Sequence, residues 1–167
     1  MTSRDTDDSR SSGRVPLVTT DHQGLDVLSS EECFDLLTTE EIGRVGFNDR
    51  GATIILPVNY ACVAQSILFR TAPGSKLDLA IRNGPASFEV DDWDSEVRAG
   101  WSVLVKGRAE EVSDEWLVSL CEHFDLDPWA DQVPRTDWVR ISVEEISGRW
   151  IYRSGSEAKR PGSGPAT

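Results

Sequence analysis

Residues 69–77 read Phe-Arg-Thr-Ala-Pro-Gly-Ser-Lys-Leu, and they gather the functional groups that would hold a small anion. Arg70 carries a fork of N–H donors suited to two-pronged contact with phosphate oxygens. Thr71 and Ser75 add neutral hydroxyl donors. Lys76 adds a second positive charge. The apolar run before Arg70 predicts a strand, Pro73-Gly74 predicts a turn, and Ser75 is placed to cap a helix over 75–83 with Asp78 three residues on. The start of a helix offers free backbone N–H groups and a partial positive charge, which favours an anion there. From Ile67 to Gly84 the cations Arg70, Lys76 and Arg82 face Asp78 alone, a net +2 inside a chain of formal charge −12. The other reading of the same residues is a plain strand–turn–helix connection with a cap and solvated cations. A P-loop does not fit. The first glycine of its pattern falls at Phe69, and Leu77 follows the lysine.

The rest of the chain has to position this turn. The 167 residues suit one domain with polar ends. Residues 1–25 are rich in Ser, Thr, Asp and Arg and are expected to be a disordered tail. Residues 154–167 are expected to be a second one, leaving 26–153 as the domain. The excess of acid argues against nucleic acid as a partner, because phosphate neutralisation needs a basic face. No apolar run approaches the roughly 20 residues needed to cross a bilayer, and no secretory leader is visible, so a cytoplasmic location is expected. Cys33, Cys62 and Cys121 are odd in number and lack metal-ligand spacing, so they read as buried thiols and no metal site is expected.

Ser29 and Glu32 form a capping box before a short helix whose buried face is Cys33, Leu36 and Leu37, with Gly43 as its stop. Strands are expected at 44–47, 52–60 and 66–71. Ala52–Tyr60 is expected to be buried on both faces until Pro57. That proline lacks a ladder N–H, so the strand must end, bulge or lie at an edge there. Further strands are expected at 86–92, 101–112 with a bulge at Gly107, and in "DWVRISV" and "RWIYR". Ser113 is expected to cap a helix carrying Trp116, Leu117, Leu120, Cys121 and Phe124. A loop is expected at 125–135. Most connections are too short for parallel crossovers, so the fold is expected to be mainly β (α+β), an antiparallel sheet curled into a barrel with short flanking helices.

The ordered set "LSSEECFDLL", "GRVGF", "LPVNY", "ILFRTAPGSKL", "ASFEVDD", "GWSVLVKGRAEEV", "PWA" and "VRISVEEISGRW" resembles the flavin-binding proteins related to pyridoxamine 5'-phosphate oxidase. The likeness is to their small actinobacterial-type branch, similar to nitroimidazole-resistance reductases. The resemblance implies a split β-barrel, a homodimer, and FMN in a groove between subunits. It implies that Arg70, Thr71, Ser75 and Lys76 hold the FMN phosphate and ribityl chain. It also implies that the backbone around Leu56, Pro57, Val58 and Asn59 lies along the isoalloxazine ring. Trp101, Trp138 and Trp150 either line the cofactor groove or subunit seam, or pack in the core. Trp93, among acids, is expected to be a partly exposed loop anchor. Arg140 and Arg149 either reach a flavin or form ordinary ion pairs. The namesake enzymes end with Arg-x-His, whereas this chain ends Arg149-Trp150-Ile151-Tyr152-Arg153, so vitamin B6 oxidation is not expected. No catalytic residue is identified; a proton would have to come from water, Tyr60 or Cys62. Three functions follow: an FMN-dependent oxidoreductase of a small-molecule substrate, a reductase using the deazaflavin F420, or a flavin-binding or ligand-sensing module without turnover.

Overall fold

The computed structural model describes residues 19–22, 25–75, 84–124, 126, 134–153 and 160. The helix expected at 75–83 lies outside the described residues from Lys76 onward, as do Pro128–Ala130 and most of both tails.

Eight strands form one sheet, every pairing of which is antiparallel. They are β1 (Thr19–Thr20), β2 (Asp26–Leu28), β3 (Ile42–Asp49), β4 (Ala52–Val63), β5 (Ser66–Thr71), β6 (Gly84–Asp94), β7 (Ala99–Glu111) and β8 (Asp137–Tyr152). The order β8-β5-β4-β3-β6-β7 closes on itself through β7–β8, so six strands make a barrel. Closure removes the edges that a long sheet would otherwise expose. Thr19 and Thr20, within the stretch expected to be a tail, pair with β2, which in turn lies along β8.

Helix α1 (Ser30–Leu36) begins with both halves of the capping box. The Glu32 N–H donates to Ser29 Oγ (3.2 Å), and the Ser29 N–H donates to Glu32 Oε2 (2.7 Å). Its Cys33, Leu36 and Leu37 join the barrel core beside Val45, Phe69, Phe88 and Val105. The helix stops at Leu37, earlier than Gly43. Gly43 is instead a strand residue of β3, where a Cβ would overlap the Phe88 ring. The β3–β4 hairpin turns at Arg50 and Gly51, both with positive φ (51° and 90°), the conformation a two-residue hairpin demands.

Strand β4 differs from expectation. Its faces alternate, with Ile54, Leu56, Val58, Tyr60 and Cys62 toward the core and Ile55 64% exposed on the other side. An alternating strand with one solvated face is what an antiparallel barrel requires. "DWVRISV" and "RWIYR" are one continuous strand, β8. It absorbs a register slip against β7, which pairs Lys106 with Glu145 but Gly107 with Val143. Gly107 is needed there because a Cβ would overlap the Ser142 carbonyl oxygen. Trp93 lies on β6, half exposed, its Nε1 donating to Asp91 Oδ2 (2.9 Å). Helix α2 (Glu115–Cys121) is capped by Asp114, one residue later than expected, whose Oδ1 accepts from the Leu117 N–H (2.9 Å). It covers a second apolar cluster of Leu68, Val112, Cys121 and Trp138 outside the barrel.

Candidate functional site

The barrel is not equally zipped all round. β4 pairs with β3 from Ala52 to Asn59, and with β5 only from Tyr60 to Val63. The β4–β5 ladder therefore ends at Tyr60↔Phe69. Beyond it β5 continues through Arg70 and Thr71 along β8 alone. The β5-facing edge of residues 52–59 has no strand partner among the described residues. Pro57 sits on this half-paired stretch, opposite Arg44 of β3, which is how a proline is accommodated inside a twelve-residue strand. The two strands part into a split. Its β4 lip is Leu56, Pro57, Val58 and Asn59, and its β5 lip is Arg70 and Thr71.

Two of the four residues read from the turn meet directly. Thr71 is buried, and its Oγ1 lies 2.9 Å from Ser75 Oγ across the Ala72–Gly74 turn. The Ser75 N–H donates to the Ala72 carbonyl (3.1 Å), and Gly74 supplies the positive φ of 69°. Arg70 leaves the strand on the opposite face from Thr71. Phe69 and Ile67 point into the barrel, whereas Leu68 and Arg70 point toward Trp138 and α2. The Arg70 guanidinium lies over the Trp138 ring, 4.8 Å from its centroid, a cation–π contact that fixes a long side chain. Its Nε is buried with no hydrogen-bond partner among the described residues. Burial raises the Cys121 thiol pKa, and the Arg70 charge nearby opposes that rise. Lys76 lies outside the described residues.

Trp101 and Trp150 stand opposite each other across β7 and β8, both in the barrel core, and Trp150 stacks on Tyr152 at 6.3 Å. Trp138 belongs to the outer cluster that supports Arg70. Arg140 and Arg149 are engaged in ion pairs. Arg140 Nε donates to Glu110 Oε1 (2.8 Å), and Arg149 Nε donates to Asp21 Oδ2 (2.9 Å).

Tyr60 is 3% exposed and packs edge-on against Phe88 (4.6 Å between centroids), yet its hydroxyl has no partner among the described residues. Burial raises the phenol's pKa, with Cys62 and the Glu40 charge adding to the effect. Burial likewise pushes the Cys62 thiol up to about 11, so it is a neutral thiol at pH 7. A cavity of about 480 Å³ adjoins these residues, walled also by Glu40, Glu41 and Phe124. Sequence reading missed it, because its walls come from two separate connections and a strand and carry no motif.

The family model for pyridoxamine 5'-phosphate oxidase matches residues 29–150. An uncharacterized protein of Mycobacterium tuberculosis is 34% identical over 126 residues, 72% of this chain and 82% of its own length. A solved FAD-binding protein from Mycobacterium smegmatis is 35% identical with a TM-score of 0.67, covering 76% of this chain and 98% of that one. An FAD-binding protein from Mesorhizobium loti is 27% identical with a TM-score of 0.63, covering 76% and 98%.

Proposed function

The chain belongs to the pyridoxamine 5'-phosphate oxidase family, and we propose that it binds a flavin at the β4–β5 split and works as a flavin-dependent oxidoreductase. The observation that carries this reading is the split itself. Backbone groups must be paired or solvated, and a ladder that stops mid-strand leaves them for a ligand. The residues present fit a phosphate-bearing cofactor. A buried guanidinium nitrogen without a partner and a hydroxyl pair stand on the two faces of one strand end. Arg70 would provide charge, held in place by Trp138, and Thr71 and Ser75 would provide neutral donors. Lys76, next in the chain, would add a second cation. Leu56 to Asn59 would offer unpaired backbone along the flat ring system.

A bound flavin would supply the transfer of hydride or electrons, and the protein's part is to bind, orient and shield it. FMN is the form proposed, since its terminal dianionic phosphate matches the two positive charges of Arg70 and Lys76. FAD-binding in the two solved relatives supports a flavin and makes the dinucleotide an outcome to be scored. We also propose a homodimer formed over the split, with the cofactor between subunits. Its support is Ile55, a large apolar side chain 64% exposed on the half-paired part of β4. The partner substrate is a small molecule.

The test is the absorption spectrum of the purified protein, with heat-released cofactor identified by chromatography. A yellow protein releasing FMN and bleached by NADH or NADPH is the expected result. Released FAD would change the cofactor and keep the function. A deazaflavin spectrum would replace it with the F420 reading. A bound flavin that no donor reduces would leave a sensing module. A colourless chain that takes up none of these would overturn the proposal.

A further inference from the structure

We propose that the cavity beside Tyr60 and Cys62 is a binding site for a small organic cation, a protonated amine carried on an apolar body. The cavity exists because β4 changes partners. The β3 ladder begins at Ile42↔Asn59, so from Tyr60 onward the β3-facing edge of β4 has lost its strand neighbour. The α1–β3 connection runs there instead, tied to the strand by the Tyr60 N–H donating to the Glu41 carbonyl (3.2 Å). The gap left is about 480 Å³, the size of ordinary small-molecule sites.

Its lining sets the chemistry. Leu37, Phe124 and Leu126 supply apolar walls, and Glu40 and Glu41 supply two carboxylates. Among the described residues no Lys, Arg or His lines the cavity, and neither glutamate has an ion-pair partner. Tyr60 lines the cavity too and is buried, its hydroxyl closed off from solvent and without a partner among the described residues. The Glu40 charge is felt by that phenol, so the negative potential reaches inward from the rim. Cys62 is neutral and adds no charge of its own. An anion would meet two like charges, and a neutral molecule would gain nothing from either. A cation pairs them, and the chain's net −12 raises its local concentration. Asn59 belongs both to this wall and to the lip of the split. An occupant would therefore stand beside the cofactor as a substrate would. That last placement rests on the flavin reading; the pocket does not.

The test uses the full chain as purified, its flavin content measured in the same sample. Benzylamine, benzyl alcohol and benzoate are titrated by calorimetry and by amide NMR shifts at Ala61 and Cys62. Benzylamine is expected to bind at least about tenfold tighter than the isosteric alcohol, as a charge-assisted contact gives, and benzoate weakest. In Glu40→Gln/Glu41→Gln, benzylamine should lose about tenfold while benzyl alcohol is unchanged. Equal affinity for the three probes, an undiminished amine affinity in the double variant, or shifts that bypass Ala61 and Cys62 would overturn the proposal. Amine binding to a flavin-free sample would keep the pocket while the flavin reading fell. A flavin-loaded sample that ignores benzylamine would do the reverse.

Discussion

The β7–β8 seam and the β4–β5 seam belong to the same barrel and are built in opposite ways. Along β7–β8 the ladder runs from Ala99↔Tyr152 to Glu111↔Val139, with one slip beside Gly107. Val103, Val105, Ala109 and Ile141 beneath it are fully buried. Along β4–β5 only four register pairs form before the strands part, and the residues past the last pair are Asn59, Arg70, Thr71 and a turn. A seam whose backbone groups are all paired has nothing to offer a ligand. A seam that opens leaves donors, acceptors and charge to be satisfied from outside. On the proposed reading the closed half carries stability and the open half binding, a division expected because ligand sites draw on the less stable parts of a fold.

The comparison can be broken on its strong side. Gly107→Ala places a methyl group against the Ser142 backbone at the register slip. It is expected to cost about 3 kcal/mol or more, read as a drop in the urea midpoint. A cost below about 1 kcal/mol would mean the seam is looser than described. On the open side, Cys62 shows how far the core reaches. Its thiol is pushed up to about 11 by burial, so the thiolate is scarce at pH 8 and grows as pH rises. Iodoacetamide labelling at pH 8, mapped by mass spectrometry, should be about a hundredfold slower than for a free cysteine and should reach half its maximal rate only near pH 11. A half-maximum near the value of a free thiol would place Cys62 in solvent.

Smaller effects sharpen the picture. Ile55→Glu, on the half-paired part of β4, should weaken self-association about tenfold in sedimentation, with the unfolding midpoint of the subunit nearly unchanged. An unaltered association constant would move the subunit contact elsewhere. Ser29→Ala removes half of the capping box at α1, away from both seams. It should lower stability by about 1 kcal/mol with no change in flavin content.

Much of the frame around the site could be read from the chain. The capping box at Ser29 and Glu32, strand β5 at 66–71, the alternation of β6 and the slip at Gly107 all rest on local chemistry. Pro57 marked the half-paired strand because a missing N–H has few places to go. The misreadings have physical causes. β-branched residues in 52–56 look like a buried run, yet only tertiary pairing decides that Ile55 faces out. "DWVRISV" and "RWIYR" were separated by polar residues that proved to be solvent-facing positions of one strand. Gly43 resembled a helix stop but is held by the Phe88 ring, a neighbour 45 positions away in the chain. At the site, the sequence placed Thr71 and Ser75 on one turn but did not foresee that their hydroxyls meet each other. Nor did it show the support of Arg70 by Trp138, because that depends on β5 lying against β8.

The central claim is that the open seam holds a flavin by its charged end, and it is tested most directly by titrating FMN into the wild-type chain and into Arg70→Ala while following flavin fluorescence. Loss of a charge-assisted contact to phosphate should weaken binding by about 10- to 100-fold while the unfolding midpoint stays near the wild-type value. FMN affinity equal in the two proteins would contradict it.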